Sequence, residues 1–150
     1  MKIVQKLLII LTFGISLMAN DIILKASECS VDATLNNIKS ILKERDLSVF
    51  AVIDHHKNAK EVELELNESK VVIFGNAKLG TVLMQQDIKA ALDLPLRILI
   101  YKDSNGKVKM AYRDGTWLTN QHTLNTAQKI EQVNKAMENI TTKAGQCIKD

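Results

Sequence analysis

Val49-Phe50-Ala51-Val52-Ile53-Asp54-His55-His56 decides how this chain is read. Five consecutive β-branched, aromatic or small apolar residues predict a buried strand, one that carries an aspartate and two histidines to its C-terminal end. Working outward, Lys70-Val71-Val72-Ile73-Phe74 is a second interior-type strand stopped by Gly75-Asn76, and Leu96 to Tyr101, opened by Pro95, is a third. Asp103-Ser104-Asn105-Gly106 is a turn signal that joins this third strand to Val108–Tyr112 as an antiparallel hairpin. Ile22 to Lys25 supplies a short first strand.

Helical segments fall between these strands. Ser30 caps a helix with Leu35, Ile38, Ile41 and Leu42 on one side, ending near Asp46. Short helices are expected over 59–66 and 77–86, and Asp114 caps another through Trp117 and Leu118. The last helix, 126–143, places Ala127, Ile130, Val133, Met137 and Ile140 on one stripe. This order predicts one two-layer domain, α/β or α+β, with a mixed sheet covered by helices and a C-terminal hairpin and helix.

The first nineteen residues stand apart. Lys2 and Lys6 precede an apolar run from Leu7 to Met18, and Ala19 offers the small residue that a signal peptidase accepts before Asn20. The run is shorter than the roughly 20 residues needed to span a bilayer. Cleavage near Ala19 and a periplasmic or secreted mature domain, residues 20–150 with no transmembrane span, are therefore expected; an uncleaved signal anchor is the alternative. Removal of residues 1–19 takes two lysines from the 20 basic residues and none from the 17 acidic, leaving 18 against 17. A nearly neutral domain without a Lys/Arg cluster lacks the basic stripe that phosphate backbones require, which sets nucleic-acid binding aside. In an oxidising compartment Cys29 and Cys147, the two cysteines of the chain, read as a disulfide, within or between chains.

Val49 to His55 running into Asn58-Ala59, then Ile73-Phe74-Gly75-Asn76, Gly80-Thr81, Leu83-Met84-Gln85, Asp93-Leu94-Pro95-Leu96 and the segment up to His122 together resemble the family called domain of unknown function 302. The resemblance runs over roughly 24–124, leaving the final helix as an apparent addition. It implies a small α/β domain that pairs as a homodimer and has no agreed reaction. The chain departs from the family pattern at Val82, where a proline is common, and at Gln121-His122-Thr123, where Arg-His-Gly is common.

Chemistry concentrates at Asp54-His55-His56, because the carboxyl ends of strands are where ligands bind in α/β sheets. A neutral imidazole can hold a metal or haem iron, with an adjacent carboxylate orienting its other nitrogen. The plainer reading has His55 donating to a backbone carbonyl and His56 pointing to water. His122 could complete a site with His55 or serve a partner subunit, or be an ordinary loop histidine. Met84 is a candidate soft ligand to iron or copper, although beside Leu79 and Leu83 it also fits core packing. Trp117 and Tyr112 suit a pocket, a dimer seam or the core. His-Glu-x-x-His, Gly-x-Ser-x-Gly and Cys-x-x-Cys-His are all missing from the sequence, so any haem would be non-covalent haem b. The expected function is a non-catalytic, exported, homodimeric binding protein that holds haem or a metal through His55, with Met84, His122 and Asp54 as further contacts. A small enzyme using Asp54 and His55 as an acid-base pair, or a purely structural domain, are the alternatives.

Overall fold

The computed structural model describes residues 21–147, and the expected signal segment lies outside them. The described chain runs β1 (Ile23–Ser27), α1 (Val31–Glu44), β2 (Ser48–Asp54), α2 (His55–Glu61), β3 (Ser69–Gly75), α3 (Ala77–Met84), a 3-10 turn (Ile88–Leu92), β4 (Leu96–Lys102), β5 (Val108–Tyr112), α4 (Gly115–Gln121) and α5 (Ala127–Ala144). The five strands form one sheet in the order β1-β5-β4-β3-β2.

Every neighbouring pair is antiparallel, so the α+β class holds and the sheet is not mixed in direction. The reason is local. α1 crosses over between the two edges, and α2 returns the chain so that β3 pairs back along β2. The β4–β5 hairpin turns at Gly106, whose φ of 73° is the left-handed conformation that glycine adopts without a Cβ penalty.

Alternation along the strands divides the sheet into two unlike faces. Val72, Phe74, Ile98, Ile100, Met110 and Tyr112 point toward α1 and α5 and are buried with Leu35, Ile38, Leu42, Met137 and Ile140. The α1 stripe and its Ser30 cap follow the sequence reading, the Ser30 hydroxyl accepting from Ala33 N at 3.1 Å. The α5 stripe does so from Ile130 onward, while Ala127 is exposed. The opposite face carries Leu24, Ala111, Leu99, Val71 and Ile53 in register and, among the described residues, has no helical layer over it.

A smaller cluster of Leu83, Ala90, Leu118, Leu124 and Ile130 closes the end of the sheet where β3 stops and β4 begins. At the other end, Cys29 and Cys147 are bonded within the chain, tying the entry of α1 to the residues after α5. Glu28 N donates to Gly145 O at 2.8 Å beside the bond.

The strand that anchors the sequence reading is placed differently from its expectation. β2 is an edge strand, and Val49, Phe50, Val52 and Ile53 are 37–52% exposed rather than buried. Its apolar composition predicts burial; among the described residues of the single chain these side chains are left partly uncovered. α2 also begins earlier than expected, at His55, because Asp54 Oδ1 accepts from Lys57 N at 2.9 Å and starts the helix there.

Candidate functional site

The two ends of the sheet separate the candidate residues. Asp54 pairs with Lys70 at one end, and Ser48 pairs with Gly75 at the other. β3 spans seven residues, so at about 3.3 Å per residue the ends stand roughly 20 Å apart. His55 follows Asp54 at the first end. Met84 and His122 belong to the second, where α3, the 3-10 turn and α4 gather. Within one chain the fold therefore does not bring His55 together with either of them.

At the first end the histidines exchange the roles expected of them. His56 Nδ1 donates to Leu66 O at 2.6 Å, while His55 is exposed and makes no hydrogen bond to the described residues. The Asp54 carboxylate turns away from the His55 ring. It caps α2 and pairs with Lys70 Nζ at 3.1 Å, and that ammonium also sits 2.6 Å from Asp32. The Lys57 amide, then Lys70, hold the Asp54 carboxyl below the usual carboxylate range, and Asp32 and Asp54 raise the Lys70 ammonium above its own. Asp54 is thus a capping and pairing group in the free chain. Among the described residues no group of three or more His, Cys, Asp and Glu side chains is placed to hold a metal ion.

The second end is the more elaborate. His122, whose side chain is 7% exposed, donates from Nε2 to Asp93 Oδ2 at 2.7 Å. Its Nδ1 is buried 3.8 Å from Asp87 Oδ2 and has no hydrogen-bond partner among the described residues. Asp87 also accepts from Thr123 N at 3.2 Å and Lys89 N at 3.0 Å, and the Thr123 amide leads in lowering its carboxyl from the ordinary value. Sequence reasoning singled out His122 but missed both carboxylates. The signal available was Asp87 ahead of a short apolar run, a capping pattern, and Asp93 in the Asp-Leu-Pro-Leu block. With one nitrogen bonded to Asp93 and the other facing the Asp87 carboxylate, the imidazole fastens the loop after α4 to the turn before β4.

At the same end of the sheet lies an apolar cleft of about 260 Å³, walled by Phe50, Gly75, Gly80, Met84, Pro95 and Leu118. The separate blocks Gly75-Asn76, Gly80-Thr81, Met84 and Leu94-Pro95 all converge on it. Leu83, 1% exposed, and Met84 both line it, Leu83 as part of the smaller core cluster. At the start of α3, Asn76 caps the helix, its Oδ1 accepting from Leu79 N at 3.0 Å. Trp117 and Tyr112 line a different cleft, on the far side of the sheet, where Arg113 lies 4.4 Å over the Trp117 ring.

Comparison with known proteins adds three findings. A solved structure, an uncharacterized conserved protein from Bacillus stearothermophilus, superposes with a TM-score of 0.63 at 13% identity, over 84% of this chain and 94% of that one. Over 115 residues, 77% of this chain, the sequence is 35% identical to proteins named fluoride-specific ion channel FluC 1 in Brucella suis biovar 1 (strain 1330) and in Brucella abortus biovar 1 (strain 9-941). The matched segment makes up 45% and 43% of those two proteins. Finally, the family model of the domain of unknown function DUF302 matches residues 23–143, a span that takes in α5 as well as the motif blocks. The chain belongs to the DUF302 family.

Proposed function

We propose that this domain is a non-catalytic binding module that takes a small apolar molecule into the cleft walled by Met84. The observation that carries this reading is the cleft itself, open on one side, lined mostly by apolar side chains, and the place where the separate blocks Gly75-Asn76, Gly80-Thr81, Met84 and Leu94-Pro95 meet. At about 260 Å³ it is slightly smaller than sites for drug-sized ligands. The test is titration with an uncharged fluorescent probe, N-phenyl-1-naphthylamine, against wild type and Gly80→Leu. A Cβ at Gly80 meets only Met84 Cε, at 4.0 Å, so a larger side chain there fills the cleft. At least tenfold weaker binding with an undiminished thermal midpoint is expected; equal binding by both proteins would end this reading.

The module works as a homodimer joined across the bare sheet face. Support comes from Leu24, Phe50 and Ile53, 51%, 52% and 37% exposed, together with Val71, Leu99 and Ala111 between them: a contiguous apolar surface of the kind that marks an interface. An isologous pairing places the same patch on both copies. Sedimentation velocity should give twice the chain mass for wild type and the single-chain mass for Ile53→Asp. A wild-type protein that stays monomeric at high micromolar concentration refutes the pairing.

Export to an oxidising compartment is supported by the Cys29–Cys147 bond, and among the described residues no helix is long and apolar enough to cross a membrane. The chain spans under half the length of the Brucella proteins, which supports a module that also occurs joined to other segments; transport of fluoride is said of those proteins.

A second reading, haem b or metal held through His55, is favoured by one observation, the exposed imidazole with no hydrogen bond to the described residues. Met84 and His122 stand at the opposite end of the sheet, so within one chain only His55 would hold the group, and any further protein ligand would be the His55 of another copy. Reconstitution with haemin should then give a Soret band that His55→Ala removes, and retention of full haem affinity by that variant sinks it.

A further inference from the structure

The second cleft has a different chemistry. It opens at the end of the bare sheet face, holds about 250 Å³, and is floored by Val71, Leu99 and Ala111 with Trp117 as one wall. Three charged side chains border it: Asp93, Arg97 and Arg113. Asp93 is committed inward, its Oδ2 accepting from the buried His122. Neither arginine has a carboxylate within 4.0 Å among the described residues. Each is instead held in place. Arg97 Nη2 donates to Leu92 O at 2.9 Å, and Arg113 lies on the face of Trp117.

Two oriented guanidinium groups over an apolar floor are charge-complementary to one small anion with an apolar body. A guanidinium fork matches the two oxygens of a carboxylate, and the floor excludes water from the chain or ring behind it. We propose that this cleft is a binding site for a small monocarboxylate carrying a short aliphatic chain or a single ring, its carboxylate between Arg97 and Arg113 and its apolar part on Leu99 and Trp117. A polyanion such as phosphate would leave the floor uncovered and gain nothing from Trp117.

Trp117 is the sole tryptophan of the chain, so its emission reports from the wall of the site. The protein with its disulfide formed is titrated with hexanoate, hexanamide and inorganic phosphate, following Trp117 fluorescence and heat of binding, alongside Arg97→Gln and Arg113→Gln. Both arginines are at exposed positions, and thermal midpoints check that the variants fold; if Arg113→Gln does not, Arg97→Gln carries the test. The expected result is saturable hexanoate binding, at least tenfold weaker in each folded variant, with hexanamide and phosphate at least tenfold weaker than hexanoate in wild type. No saturable hexanoate binding, an unchanged affinity in either folded variant, or equal affinity for hexanamide or phosphate overturns the assignment. The cleft shares Val71, Leu99 and Ala111 with the face proposed for pairing, so the titration is repeated on Ile53→Asp, which should bind hexanoate no more weakly than wild type; the site is independent of the Met84 cleft, which Gly80→Leu reports separately. Sedimentation of the same samples reads pairing apart from ligand binding.

Discussion

At the residue scale, the local geometry of the Asp-His-His stretch is set by the hydrogen bond from Lys57 N to Asp54 Oδ1. Because Asp54 starts a helix, His55 becomes the first residue of α2 and His56 reaches Leu66 O, so the exposed imidazole is the first of the pair and not the second. The cap has a measurable weight. Asp54→Ala should cost about 1 kcal/mol in urea unfolding at pH 7. The pH dependence carries the sign of a carboxyl whose folded value lies below its unfolded one: the contribution is complete above the unfolded value, and is lost as pH falls through the folded value. Wild type and Asp54→Ala should therefore differ in stability at pH 7 and converge in strong acid; a gap that persists there would locate the effect elsewhere. Gly115 shows the opposite constraint, that of space. A Cβ there would stand 2.9 Å from Asn134 Oδ1 and 3.0 Å from Ile130 O, so Gly115→Ala should destabilise by about 1–3 kcal/mol, read by the same denaturation.

At the scale of elements, α1 and α5 were legible because their apolar residues recur at helical spacing and both pack on the same sheet face. β2 was legible as a strand but not as an edge. A continuous apolar run reports that side chains leave water, without reporting which element or which copy covers them. The 3-10 turn Ile88–Leu92 went unread, since Ile88 and Leu92 are 74% and 78% exposed and give no periodic stripe. The link between α1 and the end of α5 is the disulfide, which closes a sequence separation of 118 residues. Replacing Cys29 and Cys147 by serine should lower stability by about 2–4 kcal/mol, seen as an earlier urea midpoint that matches wild type under reducing conditions. A double variant as stable as the oxidised protein would show that the unfolded chain is restricted by other means.

On the scale of the whole molecule, one face of the sheet is a core and the other is bare. If the bare face is the seat of pairing, the folded state is linked to protein concentration, because association stabilises only the folded form. The thermal midpoint of wild type should rise with concentration, while that of Ile53→Asp should stay constant. A midpoint that is flat for both proteins counts against pairing through this face.

The order of strands and helices, the hairpin at Gly106, the caps at Ser30 and Asp114 and the apolar stripes of α1 and α5 are all properties of short segments, and for that reason the linear sequence determined them. The site was only partly visible in this way. His122 and Met84 could be named, but Asp87 and Asp93 became members of a latch only when the loop after α4 packed against the turn before β4. The direction of strand pairing, the exposure of β2, the separation of His55 from Met84 and His122, and the meeting of Arg97 with Arg113 were decided by tertiary structure. Each depends on which segments, distant in the chain, the sheet registers side by side, and no local pattern encodes that choice.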